Sequence, residues 1–137
     1  MIEVLLILLF ALILPLILIP VEKIFPYPHI VEELTKLVLV LKIYQIEKQL
    51  NKNLSFFVIL SGLLFTLSES IFYLINIFTL GDLTMIPKRL FFTGILHIGT
   101  LMLIYIFGRK NNVGLLIILL FSIVIHYLYN QWAGNFF

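Results

Sequence analysis

The feature that most constrains this chain is a series of apolar runs, each long enough to cross a lipid bilayer. The first, "MIEVLLILLFALILPLILIP", contains a single charged residue, Glu3. A helix rises about 1.5 Å per residue, so roughly 20 apolar residues match the hydrocarbon thickness of a membrane. The chain is 62% hydrophobic and 12% charged, with a mean hydropathy of +1.16, and is far more apolar than a soluble domain. We therefore expect an integral membrane protein.

Polar turns divide the chain into five predicted helices that form one membrane domain, residues 1–137. The helices are predicted at about residues 2–19, 29–50, 54–80, 86–107 and 113–131. The segment "PVEKIFPYPH" contains three prolines and separates the first two helices, and "LNKN", "GDLTMIPK" and "GRKNN" form the later turns. The predicted fold class is all-α, a polytopic membrane bundle of about five transmembrane helices.

Charge and cysteine content exclude several function classes. The net charge of +2 is small and scattered, which argues against nucleic-acid binding. The sequence has no cysteine, so it has no disulfide, thiolate nucleophile or cysteine-based metal site.

If all helices cross the membrane, the side of the N-terminus carries more of the basic residues: Lys48, Lys52, Arg109 and Lys110 against Lys23, Lys88 and Arg89. The positive-inside tendency then places the N-terminus in the cytoplasm.

Ionisable residues occur at membrane depth in the third, fourth and fifth helices. Glu69 lies in "FTLSESIFYL", and His97 and His126 lie inside the next two apolar runs. Such a residue costs about 2.5–3.5 kcal/mol to insert, so it usually faces a bundle interior or a watery cavity. If every helix crosses, these residues share the middle or one half of the bilayer with Glu32 and Glu33. A flat second helix would put the glutamates on the opposite face, so convergence favours a spanning one.

Side-chain spacing supports a shared pocket. His126 and Asn130 are four residues apart and stack on one helix face, as do Glu32 and Lys36. Each residue alone has a structural explanation, because a lone histidine often bonds two helices together and a glutamate near a helix start suits the helix dipole. The set as a whole, at consistent depth on four helices, favours a functional pocket. Glu47, beside the "LNKN" turn, is expected to tolerate replacement.

Carboxylates and imidazoles around a polar pocket suit hydrolysis. A carboxylate can take a proton from water, and an imidazole can stabilise an oxyanion or bind a metal ion. Glu69, His97 and His126 are the expected ligands if the protein binds one divalent ion such as zinc, which normally takes three protein ligands and a water. The zincin pattern HExxH is absent from the sequence.

The order of the polar motifs resembles a known family. The chain reads EExxK at 32–36, FxxxE at 65–69, a histidine at His97 and HxxxN at 126–130. This pattern is similar to that of the PrsW-like intramembrane proteases, which are related to the type II CAAX prenyl endopeptidases and bacteriocin-processing enzymes. It covers residues 29–131. The CAAX branch has EExxxR and FxxxH, so Lys36 and Glu69 place the chain nearer PrsW, and Asn130 stands where some members have Asp.

The resemblance implies a multi-pass peptidase of a prokaryotic cell membrane that cleaves a membrane-anchored protein or peptide with a glutamate-activated water. Glu32 of the Glu32–Glu33 pair would be the general base, and Glu69 would orient the water. His126 and Asn130 would stabilise the oxyanion, and His97 would complete the pocket.

Two alternatives remain open. The first is a non-catalytic scaffold that keeps the polar pocket and binds a partner helix. The second is an ion or proton carrier in which Glu69, His97 and His126 form a relay, although the chain has no second half-repeat of the kind common in transporters.

Overall fold

Over its described residues, the chain forms five helices in the predicted order. A computed structural model describes residues 2–80, 83–109 and 111–136. The helices are α1 (Ile2–Ile24), α2 (Pro28–Leu50), α3 (Ser55–Leu80), α4 (Met85–Phe107) and α5 (Asn112–Phe136). Within those described ranges there is no β-strand. The predicted all-α class is therefore confirmed.

Helix ends differ most from the prediction in α1 and α5. α1 continues to Ile24 instead of ending near residue 19, and it contains both Pro15 and Pro20. Proline is tolerated inside membrane helices because neighbouring groups satisfy the carbonyl that it frees. α5 runs to Phe136, beyond the predicted end near residue 131. In both helices, the residues that follow the predicted end are therefore still helical.

Among the residues that the structure describes, three helices are long and apolar enough to span a membrane. They cover Ile2–Val21, Met85–Phe107 and Asn112–Gly134, and α3 adds a shorter apolar stretch, Ser55–Ile71. These lengths are compatible with a membrane protein. α2 is more polar, yet one of its faces is fully packed, since Leu39, Val40, Ile43 and Ile46 are at most 2% exposed. α2 therefore belongs to the interior of the bundle instead of lying apart from it.

The helices pack as a ring in the order α1, α3, α4, α5 and α2, with α2 also touching α4. The larger apolar cluster includes Val40 and Ile43 of α2, Val58 of α3 and Ile104 of α4. A smaller cluster joins Leu14 and Leu18 of α1 to Phe65 of α3, with Val31 of α2 against it. Along α2, the charged residues at 32–36 lie between these two clusters. The polar site is thus a layer enclosed by apolar packing on both sides.

Close approach of α3 to α4 depends on a glycine. A Cβ placed on Gly62 would lie 2.9 Å from the Cα of Ile98, closer than real side chains come. The absence of a side chain lets the two backbones meet, as small residues commonly do at membrane helix interfaces. The same close approach brings Glu69 of α3 and His97 of α4 within hydrogen-bonding distance.

Glu47 holds together the end of the bundle that contains the α2–α3 turn. Its Oε1 accepts a hydrogen bond from the backbone N–H of Leu54, at 2.6 Å, and another from the Tyr105 hydroxyl. Its Oε2 pairs with the guanidinium of Arg109. Glu47 is therefore a structural residue, contrary to the expectation drawn from its place beside a polar turn.

Candidate functional site

The site begins with an ion pair in the first turns of α2. Glu33 and Lys36 are both completely buried, and Lys36 Nζ lies 2.5 Å from Glu33 Oε1. The ammonium also donates to Thr100 Oγ1 at 3.0 Å and lies 5.3 Å from the centroid of the Phe65 ring. A buried charge is tolerated only when it is paired and hydrogen-bonded. The carboxylate, the hydroxyl and the aromatic face together satisfy Lys36.

His126 connects α5 to both glutamates of α2. Its Nδ1 lies 2.8 Å from Glu33 Oε1, and because an ionised carboxylate only accepts, the ring donates this bond. Its Nε2 faces Glu32 Oε2 at 3.5 Å, longer than a normal hydrogen bond. Glu33 therefore fixes the orientation of the imidazole, and the other ring nitrogen is directed towards Glu32.

His97 and Glu69 form a second carboxylate–imidazole pair between α4 and α3. His97 Nε2 is hydrogen-bonded to Glu69 Oε2, and the imidazole is completely buried. The ring lies 4.8 Å from the Phe65 ring and 5.6 Å from that of His126, centroid to centroid. Its Nδ1 has no hydrogen-bond partner among the described residues. The two histidines thus stand side by side, each held by its own carboxylate.

Three residues from three helices converge at the centre. Glu32 of α2, Glu69 of α3 and His97 of α4 each offer a ligand atom, and these atoms all lie within 4.8 Å of one another. The expected ligand trio contained His126 in place of Glu32. His126 instead lies against the two glutamates of α2, with Nδ1 on Glu33 and Nε2 3.5 Å from Glu32 Oε2. Glu32 is the residue that joins Glu69 and His97.

Asn130 does not join this cluster. It is exposed, and it makes no hydrogen bond or ion pair with the described site residues, although it lies one helical turn beyond His126. Residues four apart on a helix lie near each other, but the second can already be past the packed face when the helix lies at the bundle edge. Five of the six expected site residues are therefore assembled: Glu32, Glu33, Glu69, His97 and His126.

Two further residues belong to the site and were not predicted from the sequence. Thr100, whose hydroxyl meets Lys36, lies three residues after His97 on the same face of α4. His29 is buried, and its ring centroid lies 6.3 Å from that of His126. It precedes Glu33 by four residues. Helical spacing from a recognised site residue was the available signal in both cases.

The central group has the chemistry of a water or metal site. Acceptors bridged by one water lie roughly 4.6 Å apart, and the ligands of a tetrahedral zinc ion roughly 3.4 Å apart. Two carboxylates and an imidazole within 4.8 Å accommodate either. Carboxylate and imidazole donors suit zinc and similar divalent ions. The donor set therefore fits both a carboxylate-held water and a divalent ion.

The fold and the site together define a helical bundle, with helices long and apolar enough to span a membrane, that holds a carboxylate–imidazole cluster. Comparison with protein-family models, with curated proteins and with solved structures gives no match for the chain.

Proposed function

We propose that this protein is an intramembrane peptidase of the PrsW-like kind, which hydrolyses a peptide bond of a membrane-anchored protein or peptide. The observation that carries the proposal is the convergence of Glu32, Glu69 and His97 within 4.8 Å inside the bundle. Ionisable residues inside spanning helices are costly and usually mark a functional pathway or site. General-base hydrolysis requires at least a carboxylate within hydrogen-bonding distance of a water molecule.

Glu32 is the better general base of the two neighbouring glutamates. Glu33 is completely buried and its Oε1 is bonded to both Lys36 and His126, so its charge is already compensated. Glu32 lies with Glu69 and His97, where a water would be held by several acceptors. We therefore propose that Glu33 positions His126 and that Glu32 takes the proton from water.

The reaction follows from these positions. Glu32 removes a proton from the water, and the water oxygen attacks the peptide carbonyl carbon. The negative charge that develops on the carbonyl oxygen is stabilised by His126 in its imidazolium form, in which Nδ1–H donates to Glu33 and Nε2–H faces the pocket beside Glu32. Glu32 then returns the proton to the leaving nitrogen as the C–N bond breaks, giving a carboxyl group and an amine. Asn130, which is exposed, has no part in this scheme.

A divalent ion such as zinc would be held by Glu32, Glu69 and His97, and it would supply Lewis-acid polarisation of the carbonyl. Glu32 would then be a ligand instead of a base. The mechanism that we propose uses a carboxylate-held water and needs no ion. We expect purified protein stripped by a chelator to keep its peptidase activity, measured alongside its metal content by mass spectrometry. If activity is lost and returns with one equivalent of zinc, Glu32 is a zinc ligand and not the general base.

The principal test is Glu32→Gln, which keeps the shape of the side chain but cannot accept the proton. Cleavage of a lipid-anchored, quenched fluorescent peptide by the protein in vesicles should fall by about 10²–10⁴-fold, the usual contribution of a general base. Glu3→Gln is the matched control, because Glu3 is exposed on α1. Full activity in Glu32→Gln would exclude this residue as the base, and an equal loss in both variants would indicate general damage.

The scaffold alternative has one observation in its favour. The Glu33–Lys36 pair is completely buried, so part of the polar layer has a structural role. If the wild-type protein cleaves no anchored peptide and Glu32→Gln weakens binding of a partner helix, the pocket is a docking site for that helix. The two proposals are distinguished by whether the wild type releases a product.

A further inference from the structure

A second polar cavity lies at the other end of the bundle, around the last turns of α2. It has a volume of about 590 Å³, is largely open to solvent, and is bordered by the α2–α3 turn, the end of α4 and the start of α5. The cavity is separated from the Glu32 cluster by roughly 20 Å along α2, given the rise of about 1.5 Å per residue. It is therefore independent of the proposed peptidase site.

Cationic and amide side chains dominate the lining of this cavity. The cations are Lys48, Lys52 and Arg109, and the amides are Asn51, Asn53 and Asn112. Glu47 is the one carboxylate among the described lining residues, so the lining carries an excess of positive charge. Amide N–H₂ groups donate hydrogen bonds, as lysine and arginine do. This combination suits an anion with several acceptor oxygens.

Arg109 is held in place before any ligand arrives. Its guanidinium lies over the rings of Tyr105, at 4.2 Å, and Tyr44, at 5.4 Å. Its Nη2 donates to Glu47 and to the Tyr105 hydroxyl. Both of these bonds use the same nitrogen. No described residue accepts a hydrogen bond from Nε or Nη1, so these N–H groups remain for another acceptor. An arginine fixed in this way loses little side-chain freedom on binding an oxyanion.

The position of the cavity indicates where its ligand comes from. Lys48, Lys52 and Arg109 are exposed at helix ends, where the hydrocarbon core of a membrane gives way to headgroups and water. α5 also begins here, at Asn112, and a helix start favours a nearby anion. Charge counting places this face on the cytoplasmic side, whose leaflet carries the anionic lipids.

We propose that this cavity binds a phosphate group, presented by the headgroup of an anionic phospholipid. Inorganic phosphate offers the same oxygens without the acyl chains and is the other source of the ligand. The lipid is favoured because the cations lie at the membrane boundary, where each basic residue adds about fivefold to the affinity for an anionic surface. Lipid bound here would tie α2, α4 and α5 together.

The test uses the full chain in neutral detergent micelles, titrated separately with phosphatidylglycerol, phosphatidylcholine and inorganic phosphate. Apparent dissociation constants come from the shift in the thermal unfolding midpoint. Lys48→Gln/Lys52→Gln should weaken binding of phosphatidylglycerol by about 30-fold. Lys42→Gln/Lys88→Gln removes the same charge outside the cavity and should change it less than about twofold. Replacing Lys48 and Lys52 by arginine should preserve binding, which separates loss of charge from loss of fold.

The outcomes distinguish the sources. Tighter binding of phosphatidylglycerol than of phosphatidylcholine, lost only in the Lys48/Lys52 glutamine variant, supports a lipid headgroup. Inorganic phosphate that competes with the same dependence on these lysines supports a phosphate site filled from solution. Equal weakening in both double glutamine variants, or no preference for phosphatidylglycerol in the wild type, would overturn the proposal.

Discussion

Gly62 is the position at which one added methyl group most directly tests how α3 and α4 meet. A Cβ at this position lies 2.9 Å from both Cα and Cγ1 of Ile98. Favourable carbon–carbon contacts are about 3.5–4.0 Å, so Gly62→Ala forces the two helices apart by roughly 0.6–1.1 Å. The Cγ1 atom can rotate away, but the Cα atom moves only with its helix. Overpacking of this kind costs about 1–3 kcal/mol.

Gly99→Ala on α4 is the matched control, because a Cβ there has no neighbouring atom within 4 Å. Both variants replace a helical glycine and share the gain in helix propensity, about 1 kcal/mol. The difference between them therefore isolates the clash. In reversible unfolding by dodecyl sulfate, we expect Gly62→Ala to be about 1–3 kcal/mol less stable than Gly99→Ala. It should also lose peptidase activity, because Glu69 and His97 are drawn apart. Equal stability of the two variants would refute the close approach.

Two further substitutions test the polar contacts. Lys36→Met leaves the Glu33 carboxylate buried without its cation and should destabilise the protein by about 3–5 kcal/mol, whereas Lys36→Met/Glu33→Met should be more stable than the single variant. A double variant less stable than Lys36→Met would show that Glu33 is held by other groups. Glu47→Gln should cost about 1–3 kcal/mol in the same unfolding assay, because three donors lose an ionised acceptor. Glu3→Gln should stay within about 0.5 kcal/mol of the wild type, and an equal effect of both would remove Glu47 from the structural network.

Four helices were predictable because they contain long apolar runs bounded by polar or proline-containing segments. The more polar α2 was predictable from the prolines before it and the "LNKN" turn after it. The ends of α1 and α5 were less predictable. Pro20 at the predicted end of α1 is accommodated within the helix. A local signal for a helix end is weak when tertiary contacts or lipid can satisfy the backbone.

Depth within the bundle was predictable, but the direction of each side chain around its helix was not. The rise per residue fixes how far Glu69 lies from a helix end. Adjacent residues differ by about 100° around the axis, so Glu32 and Glu33 approach His126 from different sides, and Glu32 lies with Glu69 and His97 whereas Glu33 pairs with Lys36. Which of them meets His126 Nδ1 depends on where α5 packs, and the apolar α5 sequence gives little indication of its inward face. Asn130 was misplaced for the same reason.

The Glu47 network shows a second limit. Its members are far apart in sequence, since Tyr105 and Arg109 come from the end of α4 and the turn after it. A single carboxylate near a turn is ordinarily a solvated residue. Only the return of α4 to the same end of the bundle brings the hydroxyl and the guanidinium to it. Long-range pairing of this kind has no local signature in one sequence.

The arrangement of α2 explains how a helix with a charged segment fits inside an apolar bundle. Its charged residues lie between the two apolar clusters, and Lys36 is satisfied by Glu33 on its own helix, by Thr100 of α4 and by the Phe65 ring of α3. Alone in lipid, the same segment would expose a charged pair to hydrocarbon, which is unfavourable. The buried charges of α2 are therefore stable only while α2 packs against α3 and α4. The hydrogen bonds and ring contact of Lys36 also fix the position at which α2 packs. The Glu32 cluster is assembled by the same contacts, so any change that releases α2 from α4 should remove the site together with the stability that holds it.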